Sequence, residues 1–227
     1  MTPSRNRTGS PQPQLTAAKR ALSLVEVLLG SLIVIGHNVF RVLPNEVPIL
    51  FVLGLLSLQL RDGGWRAAGF RQPGSWSRVV LMAVGAAVLL QLKTVVTEPI
   101  GEWIWHRPPQ ISSVFHGVAG LRDILKGLGI VWTFAAFGEE VAYRGYLLRR
   151  AAEVGNWSKA ACGFALLWSS ILFGFGHYYK GPSGVLESTV SGLILGGAYL
   201  LGNRVLWAPI LAHGLSDTFA VCVTAFG

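Results

Sequence analysis

Phe137-Gly-Glu-Glu-Val-Ala-Tyr-Arg-Gly145 sets two adjacent carboxylates and a guanidinium inside an apolar stretch, directly after the run Gly129-Ile-Val-Trp-Thr-Phe-Ala-Ala136. Ionisable groups cost from roughly 2.5 to over 10 kcal/mol each at the centre of a bilayer. A helix that carries Glu139, Glu140 and Arg144 through hydrocarbon must pair them or turn them to a wet cavity. The stretch therefore reads as a functional site inside a membrane protein.

The rest of the chain agrees. Of 227 residues, 52% are hydrophobic and only 13% charged, and mean hydropathy is +0.50. A soluble chain carries about 25% charged residues. The deficit argues for one integral domain, residues 19–227, behind a tail at 1–18 whose Pro, Ser, Gln, Thr and Arg content predicts disorder. The net charge is +8, but the basic residues are scattered through loops and form no stripe, which excludes nucleic acid as a partner. Cys162 and Cys222 lie in apolar runs without zinc or redox spacing and read as inert thiols.

A span needs about 20 mostly apolar residues. Seven candidates appear, at roughly 21–40, 46–60, 79–97, 127–148, 158–177, 183–202 and 206–226. The fold expected is an all-α polytopic membrane bundle of about seven spans. With the N-terminus inside, twelve Lys and Arg fall on inner segments and six on outer ones, the bias expected of cytoplasmic loops. Trp65, Trp76, Trp103, Trp105, Trp157 and Trp207 flank spans, where their amphipathic rings suit the headgroup layer. The stretch 98–121 reads as interfacial or re-entrant. Ser188, Gly192 and Gly196 recur every four residues and predict a close helix–helix approach.

Three polar motifs share i,i+4 spacing, which puts each pair on one helix face. They are Glu140 with Arg144, preceded by Glu139; Phe173-Gly-Phe-Gly-His177; and His213-Gly-Leu-Ser-Asp217. Arg144 stays charged and can hold Glu140 ionised. Glu139 points elsewhere and can act on water as a general base. His177 can share that water or protonate a leaving amine, and His213 with Asp217 can orient a carbonyl or meet a developing oxyanion. Taken singly, each has a plainer reading. Glu140–Arg144 could be a structural lock, His177 an interfacial ring and His213 a packing residue. Phe173 reads as packing in either case. His37, His106 and His116 receive no role, and Glu26 is expected to snorkel or pair.

The order and spacing of the three motifs resemble the CPBP family, the CAAX prenyl endopeptidases and bacteriocin-processing enzymes also called ABI proteins. The resemblance covers about residues 60–226 and includes Trp65-Arg-Ala-Ala-Gly-Phe-Arg71 and Leu206-Trp-Ala-Pro-Ile210. It implies an all-helical glutamate-type intramembrane endopeptidase without cofactor or metal. Glu139 would be the general base, His177 its partner at the water, Glu140 and Arg144 the support, and His213 and Asp217 the oxyanion-side pair. Many members carry Asn at the position of Asp217. An ionised Asp cannot donate to an oxyanion, so Asp217 would be protonated or would orient His213. Members often carry Phe at the position of Tyr143, a change read as harmless.

The expected partners are membrane lipid and a protein or peptide substrate, lipid-modified or helical, and the expected location is the cell inner membrane. Two alternatives stand beside this reading. One is a zinc-type hydrolase using Glu139, His177 and His213 as ligands, although the chain has no His-Glu-x-x-His motif. The other is a non-enzymatic immunity or scaffold protein of the same fold. One tension concerns depth. Glu139 lies ten residues from Arg149, and His177 eighteen from Lys159. If both basic residues marked one interface, the two side chains would sit at different levels in straight helices.

Overall fold

A computed structural model describes residues 14–106 and 120–226. Among these the fold is all-helical, with no strand. Short polar residues start the helices where the sequence offers them. The Thr16 hydroxyl accepts from Lys19 N at the head of α1 (Ala17–Asn38), and the Asn45 side chain accepts from Val47 N at the head of α2 (Glu46–Asp62). Ser75 caps α3 (Trp76–Leu92). Ser158 likewise caps α7 (Lys159–Phe175). Each cap satisfies a backbone donor that the first turn leaves orphaned. α2 stops at Gly63, whose φ of +76° suits glycine, and a 3₁₀ turn over Trp65–Ala68 follows.

The centre of the molecule is one long helical rod. It comprises α5 (Leu121–Ile130), two segments wound in the wider π form (Val131–Glu139 and Val141–Leu148) and α6 (Arg149–Val154). π-type winding is rare and concentrates at functional sites. Residues 140–148 are all buried. Around the rod pack the α1–α2 hairpin, the pair α7 and α8 (Gly181–Leu201), and α3 with α9 (Trp207–Phe226). Leu50, Tyr146, Leu147, Leu148, Ala165 and Tyr199 fill the core between them. The outward faces are apolar as well, with Leu32, Leu81 and Leu201 each about 70% exposed. A lipid-facing bundle has that pattern and a soluble one does not.

The seven expected spans all fall on helices. By length and composition, three segments among the described residues qualify to cross a membrane: Trp76–Trp105, Tyr178–Leu201 and Trp207–Ala225. The first of these outruns the expected end at 97, because the chain turns at Lys93 and continues as α4 (Thr94–Trp105). Part of the supposed interfacial stretch is therefore helix, and its residues 107–119 lie outside the described residues. So do residues 1–13 of the expected tail. From Leu15 onward the chain is engaged, since Leu15 N–H donates to Asn156 Oδ1 and α1 starts at Ala17.

The small-residue face of α8 does what its spacing predicts. A Cβ at Gly192 would stand 2.8 Å from Ser170 Cα, and one at Gly196 would stand 2.5 Å from Leu166 Cδ1. α7 and α8 are therefore packed backbone to backbone.

Arg149 and Arg150 do not behave as loop charges. Arg150 is fully buried and pairs with Glu26 (3.1 Å), Asp62 (2.7 Å) and Glu153 (2.8 Å). Arg149 pairs with Asp62 and Glu153, both at 3.2 Å, and Arg61 pairs with Glu26. Three guanidiniums and three carboxylates thus close a network that ties α1, α2 and α6 at one end of the bundle. Burial alone would raise the Asp62 carboxyl, but the guanidiniums of Arg150 and Arg149 outweigh it and hold it below its ordinary value. Glu26 pairs, as one of its two readings expected.

Candidate active site

At the opposite end of the α1–α2 hairpin a cavity of about 640 Å³ opens between the helices. Glu139, His177, His213 and Asp217 all line it. They come from three separated segments: the rod, the end of α7, and α9. The depth conflict does not keep Glu139 and His177 apart, since both line this cavity. Arg149 and Arg150 are held in the ionic network, and the rod runs on to Val154 before the chain turns toward Lys159.

Glu140 and Arg144 sit behind this wall, both almost wholly buried. One oxygen of Glu140 accepts from Arg144 Nη1 at 2.7 Å and from His213 Nδ1 at 2.9 Å. Because a carboxylate oxygen only accepts, Nδ1 of His213 carries the proton. Its Nε2 lies 3.5 Å from Asp217 Oδ2. Arg144 also donates to the Gly192 carbonyl (3.3 Å), which anchors the rod to α8.

His177 lies just beyond the last turn of α7, at φ −111°. Its Nδ1 is 2.9 Å from the Phe173 carbonyl. A carbonyl cannot donate, so Nδ1–H donates and Nε2 keeps its lone pair. Phe173 is more than inert filler. The Arg144 guanidinium lies 4.4 Å over its ring, and the rings of His177 and His213 stand 4.8 and 6.1 Å from it. Oε2 of Glu139 is buried and has no hydrogen-bond partner among the described residues. The six residues singled out from the sequence therefore divide into four that face the cavity and two that brace them from behind.

Sequence reasoning missed other residues of the cavity wall. His37 and Glu46 line it, as do Lys93 and Glu187, which pair at 2.6 Å between the α3–α4 turn and α8. Gln91 donates to Ser216 Oγ at 2.8 Å beside Asp217. Glu46 carried a signal that could have been used: a carboxylate opening an apolar helix with no basic residue within a turn. Among the described residues, no group of three or more His, Cys, Asp or Glu is arranged to hold a metal ion.

Apolar outer faces, membrane-length helices and a polar cavity walled by acid and imidazole define a helical membrane protein with a polar site inside it. Residues 122–219 match the family model described as type II CAAX prenyl endopeptidase, Rce1-like. The resemblance drawn from the motifs agrees with that match, and the matched segment contains Glu139, Glu140, Arg144, His177, His213 and Asp217. No curated protein and no solved structure matches the chain.

Proposed function

We propose that this is an intramembrane endopeptidase of the glutamate type, cleaving a peptide bond of a membrane-associated or lipid-modified protein. The observation that carries the reading is the single cavity into which Glu139, His177, His213 and Asp217 converge from three segments. Water held between the Glu139 carboxylate and the free Nε2 of His177 gives its proton to Glu139 and attacks the scissile carbonyl. His213, its Nδ1–H fixed by Glu140, turns Nε2 to the cavity and, as the imidazolium, meets the charge that develops on the carbonyl oxygen. Asp217 orients that ring rather than donating. When the tetrahedral intermediate collapses, the C–N bond breaks, the amine takes the proton from Glu139, and the new carboxyl leaves with the water oxygen. The working topology is seven spans with the N-terminus inside, in the cell inner membrane.

The test works without the substrate in hand. Membrane peptides are compared between cells carrying the parent protein and cells carrying Glu139→Gln, His177→Gln or His213→Ala variants at equal abundance. All three variants should accumulate the same uncut precursor, with turnover lower by roughly 10²-fold or more. Identical peptide profiles in parent and variants would leave the scaffold reading in its place.

A further inference from the structure

We infer that Tyr143 and Glu46 form a buried strut that positions His177, with Glu46 reaching the site from outside the segment that matches the family. The inference rests on the reading of His177 given above.

The Tyr143 hydroxyl is not idle. It donates to Glu46 Oε1 at 3.4 Å in a fully enclosed setting. Glu46 opens α2 and is only 4% exposed, and its other oxygen faces His37 Nε2 at 3.5 Å. His37 in turn is held by the Leu43 carbonyl, 2.9 Å from Nδ1. α2 lies outside residues 122–219.

The strut bears on Gly176, the residue before His177. A Cβ at Gly176 would stand 2.6 Å from the Tyr143 hydroxyl and 3.3 Å from Glu46 Oε1. The backbone entering His177 therefore rests directly on the pair. The Tyr143 ring also meets Phe173 edge-on at 5.1 Å, and the Phe173 carbonyl is what fixes the His177 tautomer. Tyr143 thus touches both supports of the imidazole, the residue before it and the residue whose carbonyl holds Nδ1. Glu46 acts through Tyr143, and both are positioning residues. What matters is an acceptor oxygen at residue 46, not its charge.

The full-length protein, labelled with ¹⁵N-histidine and held in detergent micelles, gives a readout independent of cleavage. The His177 nitrogens are assigned by their loss in His177→Gln. Tyr143→Phe and Glu46→Ala should each move both His177 nitrogen shifts away from the parental Nδ1–H pattern. Glu46→Gln, which keeps the acceptor, should restore them, and the double variant should do no more than either single one. With a farnesylated CAAX reporter peptide, kcat should fall roughly fivefold to tenfold, as for loss of one buried hydrogen bond, with KM little changed. Tyr199→Phe removes an equally buried hydroxyl, bonded to the Ala68 carbonyl at 3.3 Å, and serves as control. Unmoved His177 shifts in Tyr143→Phe, or equal shifts in Tyr199→Phe, would overturn the strut. If the parent fails to cut the reporter, that bears on substrate and activity, and the nitrogen shifts still decide the strut.

Discussion

Glu139 and Glu140 are neighbours in sequence but differ in their partners, so the same substitution should have opposite consequences. Among the described residues Glu140 is the sole carboxylate partner of buried Arg144, and it also holds His213. Glu140→Gln leaves a guanidinium enclosed without compensation, which typically costs about 3–5 kcal/mol. Its thermal midpoint in detergent should drop by many degrees. Glu139 has a buried oxygen that no described residue bonds, so Glu139→Gln should melt at or above the parental temperature while losing the proposed activity. Thermal unfolding of the two variants side by side checks this. The sequence made the pair legible because the i,i+4 spacing to Arg144 belongs to Glu140 alone. It could not reveal that His213 would share the same oxygen, since that contact joins positions 73 residues apart.

Among the elements, α7 and α8 show how much a stripe of small residues determines. The recurrence of Ser188, Gly192 and Gly196 predicted a close contact, and the contact exists. The partner's half of it was less visible. Gly174 of α7 faces α8 so tightly that a Cβ would stand 2.1 Å from Thr189 Oγ1 and 2.7 Å from the Val185 carbonyl. The second of these is backbone and cannot rotate away. Gly174→Ala should therefore push the end of α7 outward and destabilise the protein by about 1–3 kcal/mol, read as a lower melting temperature. Because His177 lies three residues further on, the variant should also lose cleavage more than its stability change explains. Of the two glycines near His177, Gly174 is a packing contact and Gly176 caps the end of the helix. Spacing shows which face is small and not what approaches it. The limits of the first span pair were harder still, because Glu26 and Glu46 break the apolar pattern for reasons that lie on other helices.

At the scale of the whole molecule, composition was enough to set the class: an apolar, weakly charged chain folded as an all-helical bundle with an apolar exterior. At the far end Arg150 proves to be a buried partner and Arg149 a partly enclosed, ion-paired one. Side chains that snorkel and side chains that lock look alike in one dimension. The network makes a prediction about acid. The Asp62 carboxyl is held below its ordinary value of 3.8, so the stability it supplies is complete above that pH and is lost as pH falls through the lower folded value. Asp62→Asn should be less stable than the parent at pH 7, and the gap should narrow progressively as pH falls below about 4. Paired thermal scans at the two acidities measure it. Arg150→Leu, which strips three carboxylates of a shared partner, should cost about 3–5 kcal/mol. The network also has an order in time. A ribosome delivers Glu26, Arg61 and Asp62 long before Arg149 and Arg150, so the nascent hairpin waits through 87 further residues with one acid in excess. Until the central rod emerges, that hairpin is an unfinished circuit, and chains halted before residue 149 should be the ones that membrane quality control removes.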